Sequence, residues 1–230
     1  MRACEYFYAH IGAARIVRGF TETLGALREL LEFHCGRLQQ VHASIWTSVR
    51  RMTKPTMLTF DVFGTVVDWK AGLTAALAAE GVSLDAETFD RIVDCQGETE
   101  QAAPGRRYVE IAEQSLGKVL RLEKPVARRV AMTIGEWPPF ADSSAALRSL
   151  MRSALCVAMT NSDRNHGTAV QRNLGFPLSH WICAEEAGCY KPELRFWRHA
   201  AERTGARFDK GWWHVIPIAP RAAIARSMAS

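Results

Sequence analysis

The sequence predicts an α/β protein: a parallel sheet covered by helices on both faces, with a helical block inserted after the first strand. Three observations predict it. Short β-rich runs alternate with helical patterns from residue 57 onward, and such alternation implies parallel strands joined by crossovers. The stretch 70–136 is helical in pattern and too long for a single crossover. The chain has 230 residues, 48% hydrophobic and 23% charged, which is enough for one full core and rules out global disorder or a low-complexity polymer.

The elements follow in order. Residues 1–56 form an N-terminal extension in which Phe20, Leu24, Leu27, Leu30 and Leu31 have helical spacing, so one amphipathic helix is expected near 20–33. That segment is either a partner-binding arm or an extension of little consequence. Met52 and Met57, just ahead of the first strand, favour the second, including a start codon placed too far upstream. The core begins at Met57-Leu58-Thr59-Phe60-Asp61-Val62-Phe63-Gly64-Thr65, a β-rich run closing in a Gly-Thr turn. Residues 57–69 and 137–215 are assigned to this core and residues 70–136 to the inserted helices, which Gly81, Pro104-Gly105 and Pro125 punctuate.

Trp137-Pro138-Pro139 reads as the linker back to the core. Asp142-Ser143-Ser144 caps a helix running to about Arg152. Ala154–Met159 is a buried-type strand ending at Thr160-Asn161, and a helix near 165–174 leads to a strand at 181–184. Lys191-Pro192 opens a helix to Thr204, with Pro192 in the first turn and Gly205 at the end. Residues 212–216 are the fourth strand and residues 216–230 an atypical tail.

Charge excludes one broad class. The formal net charge is +5, but residues 1–56 carry +4, residues 215–230 carry +2, and the region between them −1. A nucleic-acid surface needs clustered cations, and the core has none, so no nucleic acid is expected. No run approaches the ~18 apolar residues of a membrane span, and the first residues lack the apolar stretch of a secretory signal. The six cysteines form no C-x-x-C pair and no zinc-type spacing with histidine. A reduced, cytoplasmic setting is expected.

Ligands of such sheets bind beyond the carboxyl ends of the strands. Asp61, Thr160-Asn161 and Lys191 all fall there. A carboxylate at a strand tip is a plausible nucleophile, Gly64 permits the tight turn behind it, Thr65 offers a hydrogen bond, and Lys191 offsets the charge. No G-x-G-x-x-G and no P-loop occurs, so nucleotide-binding versions of the architecture lack support.

On these residues the chain resembles the haloacid dehalogenase superfamily. Phe60-Asp61-Val62-Phe63-Gly64-Thr65, Thr160-Asn161 and Tyr190-Lys191-Pro192 look like its motifs one, two and three, in order, over residues 57–215. The resemblance implies a Rossmann-like core with a helical cap. Phosphatase members carry a second aspartate two residues after the nucleophile, to protonate a departing alkoxide. Here Phe63 stands in that position, as in the 2-haloacid dehalogenase branch, and a halide leaves without needing a proton.

The resemblance therefore implies hydrolysis of a short 2-haloalkanoic acid through an ester on Asp61. Thr65 and Thr160 would orient Asp61, Lys191 would hold it charged, and backbone N–H groups near Val62 and Phe63 would stabilise the oxyanion. Asn161 would supply an amide donor to the halide or substrate carboxylate. Arg91, Arg106 and Arg107 are candidates for the cap arginine, with Arg91 selected, and Trp197 lines the pocket. Phe196 and Trp197 at helical spacing also fit ordinary core packing. His166, His199 and His214 belong to no motif and read as surface or core-edge residues.

The implied partners are a small haloacid and water, with no cofactor and no metal, and dimerisation is a family-level expectation. One departure stands out. The family's fourth motif, a polar run with an aspartate that positions the hydrolytic water, is missing: no Asp or Glu follows Asp209, and Pro217 and Pro220 interrupt the segment after strand four. The C-terminal part of the core reads as incomplete, as after a change of reading frame near Val215, and impaired turnover is expected. The alternatives are a phosphatase or related hydrolase of the same fold, or an inactive remnant whose N-terminal helix docks a partner.

Overall fold

The computed structural model describes residues 56–207 and 212–215. The helix expected at 20–33, the remainder of the N-terminal extension and the tail at 216–230 lie outside the described residues. Four short strands, β1 (Met57–Phe60), β2 (Leu155–Thr160), β3 (His180–Cys183) and β4 (Trp212–Val215), form one parallel sheet in the order β3-β2-β1-β4. β1 is paired on both sides and buried at every residue, which is why three of its four residues are apolar with no polar-out alternation, and the one polar residue, Thr59, is hydrogen-bonded to His214. The register aligns Phe60 with Ala158 and Val215, and Thr160 with Cys183. Asp61 and Asn161, each the first residue after its strand, therefore emerge at the same edge of the sheet.

Four α-helices and one short 3₁₀ turn (Ile134–Glu136) separate β1 from the core helix that precedes β2: α1 (Trp69–Ala79), α2 (Ala86–Ala102), α3 (Tyr108–Leu120) and α4 (Lys124–Met132). Asp68 and Asp85 cap the first two, accepting from Ala71 N at 2.9 Å and Thr88 N at 2.7 Å. α1 turns Gly72, Leu73 and Leu77 inward, and burial of each leucine is worth about 2 kcal/mol. Gly72 is required there: a Cβ would sit 2.2 Å from Cγ of Trp137. Trp137 is 5% exposed and donates from Nε1 to Thr133 Oγ1 at 2.9 Å, so the Trp-Pro-Pro segment is a packed junction more than a linker.

α5 (Ser143–Met151) begins at Asp142 as the sequence suggests, but the Ser143 hydroxyl turns away from its own helix and donates to Val66 O at 2.7 Å. That bond ties α5 to the turn after β1. α6 (Arg164–Leu174) starts in a capping box formed by Asp163 and His166. A short helix, α7 (Ala184–Ala187), follows β3. α8 (Leu194–Thr204) ends at Gly205, whose φ of 66° supplies the left-handed stop. Pro192 corrects the expectation: it follows a cis peptide bond and lies outside α8, two residues before it begins. The described cysteines, Cys95, Cys156, Cys183 and Cys189, are all free and buried, acting as small hydrophobes. Among the described residues no helix is long and apolar enough to cross a membrane.

Candidate active site

A cleft of about 410 Å³ opens at the carboxyl edge of the sheet, between the strand tips and the inserted helices. Asp61 lies on its floor. Behind Asp61 the chain folds tightly on Val62, whose carbonyl accepts from the N–H groups of Thr65, Val66 and Val67 at 3.2, 2.8 and 2.9 Å. Gly64, at φ 91°, makes that turn possible. Lys191 reaches across from the segment after β3 and donates to Asp61 Oδ1 at 2.7 Å and to Met159 O at 2.7 Å. The Lys191 and Asp61 side chains are 14% and 19% exposed, so the ion pair is poorly hydrated and held by a second anchor on β2.

Phe63 forms a wall of the cleft and is 8% exposed. Its ring meets Trp137 and His166 edge-on, with centroids 6.1 and 6.2 Å away. Thr160 and Trp197 also line the cleft. Phe196 is fully buried in the core. Val62, 1% exposed, acts through its backbone in the turn.

Three expectations are corrected. Thr65 Oγ1 is buried without a hydrogen-bond partner among the described residues, so it does not orient Asp61. Asn161 does not present a spare donor to the cleft. Its Oδ1 accepts from Lys191 N at 2.8 Å, and its Nδ2 donates to Lys191 O at 3.3 Å and to Glu100 Oε2 at 2.8 Å. The amide is a clamp between β2, the Lys191 segment and α2. Arg91 is exposed and absent from the cleft lining. The cleft face of α2 is Val93, Gln96, Gly97 and Glu100, spaced i, i+3, i+4, i+7, and Arg91 lies about 200° around the helix from Val93. Arg106 and Arg107 are committed elsewhere: Arg106 donates to Gln114, and Arg107 pairs with Asp163 at 3.5 Å and Glu185 at 3.7 Å.

The α2 face is what sequence reasoning missed, although its helical spacing was there to be read. Glu100 is largely withdrawn from water, and that burial raises its pKa to about 7 against the pull of Asn161 and Lys191. Tyr108 lines the cleft and donates to Gln96 Oε1 at 3.0 Å; burial pushes its phenol well up. Trp69 closes one side, its Nε1 buried without a hydrogen-bond partner among the described residues.

The histidines are also revised. His214 lines the cleft from β4, hydrogen-bonded through Nδ1 to Thr59 Oγ1 at 2.8 Å and packed under the edge of Trp197 at 4.8 Å. Burial and the nearby Lys191 charge lower its pKa to about 3, so it is neutral at physiological pH. His166 is 2% exposed, and its Nδ1 accepts from Asp163 N at 3.2 Å, with burial again lowering its pKa.

A family model of haloacid dehalogenase-like hydrolases matches residues 56–212. Among solved structures, an L-2-haloacid dehalogenase is 23% identical with a TM-score of 0.61, covering 71% of this chain and 76% of that one. An L-2-haloacid dehalogenase from Xanthobacter autotrophicus, with chloropropionic acid covalently bound, is 13% identical with a TM-score of 0.59, covering 70% and 69%. A putative hydrolase of the same superfamily from Bacillus subtilis, bound to magnesium, is 14% identical with a TM-score of 0.59, covering 71% and 80%. No curated protein matches the sequence. At these identities the structural likeness speaks for the fold. As to metal, Glu100 is the second carboxylate on the cleft and is engaged by Asn161. The described residues present no group of three or more His, Cys, Asp or Glu suited to hold an ion.

Proposed function

Because this chain belongs to the haloacid dehalogenase-like hydrolases, we propose that it cleaves the carbon–halogen bond of a short 2-haloalkanoic acid through an ester on Asp61. One observation carries the reading: the residue two positions after Asp61 is Phe63, packed between Trp137 and His166 in the cleft wall. A phosphatase needs a proton donor there for its departing alkoxide. Displacement of halide needs none, and an aromatic wall suits a haloalkyl group.

The Asp61 carboxylate attacks C2 of the substrate, the C2–halogen bond breaks, and halide departs with the bonding pair. Lys191 fixes the attacking oxygen against Met159 O, so little reorganisation accompanies attack. It is also the cation of the described cleft lining and the group that balances a substrate carboxylate. Water then attacks Cγ of the ester, and the Cγ–O bond to the substrate breaks, giving a 2-hydroxy acid and free Asp61. Backbone N–H groups at the Val62–Phe63 turn stabilise the oxyanion. The inserted helices act as a cap that limits water around the reacting carbon.

The test is acid-quenched peptide mass spectrometry after mixing with L-2-chloropropionate, with chloride followed in parallel. Chloride release with a 1-carboxyethyl ester on Asp61, both abolished in Asp61→Asn, is the expected result. Magnesium-dependent phosphate release from p-nitrophenyl phosphate, with no chloride and no adduct, would replace this reading with the phosphatase one.

A further inference from the structure

Hydrolysis of an aspartyl ester needs a group that takes a proton from water, and residues 210–230 contain no Asp or Glu. The described cleft contains few alternatives. Lys191 is committed to Asp61 and Met159 O. His214 has Nδ1 on Thr59 and an imidazole whose basicity burial removes. Tyr108 is a donor to Gln96. Glu100 remains. It projects from the cleft face of α2, and Asn161 Nδ2 holds its Oε2 at 2.8 Å. The same Asn161 grips the backbone of Lys191 at 2.8 Å, so Glu100 is fixed relative to the Lys191–Asp61 pair. Oε1 is left to accept a proton.

We propose that Glu100 is the general base for hydrolysis of the Asp61 ester, a role that rests on the dehalogenase reading above. Glu100 takes one proton from water as the oxygen adds to Cγ of the ester. It returns that proton to the alkoxide as the Cγ–O bond breaks, so the 2-hydroxy acid leaves neutral at oxygen. The second water proton remains on the regenerated Asp61 carboxyl and passes to solvent. Charge and atoms balance without a cofactor. The titratable groups facing Glu100 are Asp61, Lys191, Tyr108 and Tyr190, burial pushing both phenols up, and His214 lines the same cleft. Burial places the Glu100 carboxyl near neutrality, where a base both exists ionised and accepts a proton readily.

The experiment compares the full-length protein with Glu100→Gln, which preserves an oxygen for Asn161, and with Glu100→Asp. Each is mixed with L-2-chloropropionate in H₂¹⁸O and quenched over time. Glu100→Gln is expected still to form the Asp61 adduct and to stop after releasing one chloride per chain. Its ester should decay about a hundredfold more slowly, with delayed ¹⁸O entry into Asp61. The wild-type decay rate should rise with a midpoint near pH 7, a limb the glutamine variant lacks and the aspartate variant partly restores. Equal ester decay with unchanged pH profiles overturns the role of Glu100 while leaving the dehalogenase reading intact. Absence of any adduct or chloride in all three overturns both.

Discussion

Asp163 and Tyr108 lie 55 residues apart in sequence, yet Asp163 Oδ1 accepts the Tyr108 backbone N–H at 2.8 Å, fully buried. Its Oδ2 accepts from Val109 N at 3.1 Å and meets Arg107 at 3.5 Å. Asp163 also belongs to the capping box of α6. One carboxylate therefore terminates two helices, α3 of the inserted block and α6 of the core, where both macrodipoles favour negative charge. It stitches the inserted helices to the core beside the cleft.

Asp163→Ala should therefore cost about 3 kcal/mol, because it strands buried N–H groups at two helix ends at once. Urea denaturation measures the loss. Hydrogen exchange should rise first at residues 108–111. A loss below about 1 kcal/mol would show that water replaces the carboxylate without penalty.

Lys191→Met leaves Asp61 charged, poorly hydrated and without its partner. Breaking a buried pair from one side costs about 3 kcal/mol, and adduct formation should fall below detection. The double variant Asp61→Asn/Lys191→Met should recover most of the stability and none of the activity. Equal instability in single and double variants would mean that packing of the lysine stem, rather than charge, sets the cost.

Gly72→Ala places a methyl group 2.2 Å from Trp137 Cγ. The indole is anchored to Thr133 and to the Phe63 edge contact, so it has little room to yield. Overpacking of about 2–3 kcal/mol is expected, with a change in tryptophan fluorescence from the displaced ring. An unaltered melting temperature would contradict so close an approach of α1 to Trp137.

Stability should fall at both ends of the pH scale, for separable reasons. His214 titrates at about 3 when folded against 6.5 in a free chain, so the unfolded state binds the proton first. Stability is lost as pH falls from about 6.5 toward 3, and His166, shifted in the same direction, adds to the loss. Glu100 is opposite: its folded pKa is about 7 against 4.5. Its contribution is complete below about pH 4.5 and is lost as pH rises through 7. Denaturation midpoints between pH 3 and 9 should decline less on the alkaline side in Glu100→Gln, and less on the acid side in His214→Gln. Curves parallel to wild type in either variant would assign the pH dependence to other groups.

The sequence by itself determined the sheet, the order of its motifs and the family. Those signals are local: a short, mostly apolar strand is buried on both faces, a Gly after a strand-tip carboxylate makes a turn, and Asp61 directly follows the first strand. Tertiary structure decided how the cleft is furnished. Asn161 reads as a free donor in one dimension, and only the approach of α2 shows its amide spent on Glu100 and Lys191. Arg91 carries the right charge on the right helix, but at 3.6 residues per turn it faces away from Val93, Gln96 and Glu100. His214 and Asp163 belong to no motif, because their roles depend on Thr59 and Tyr108, partners 155 and 55 residues away. Burial, which sets the proton affinities of Glu100 and His214, is a property of the packed chain. No window of sequence contains it.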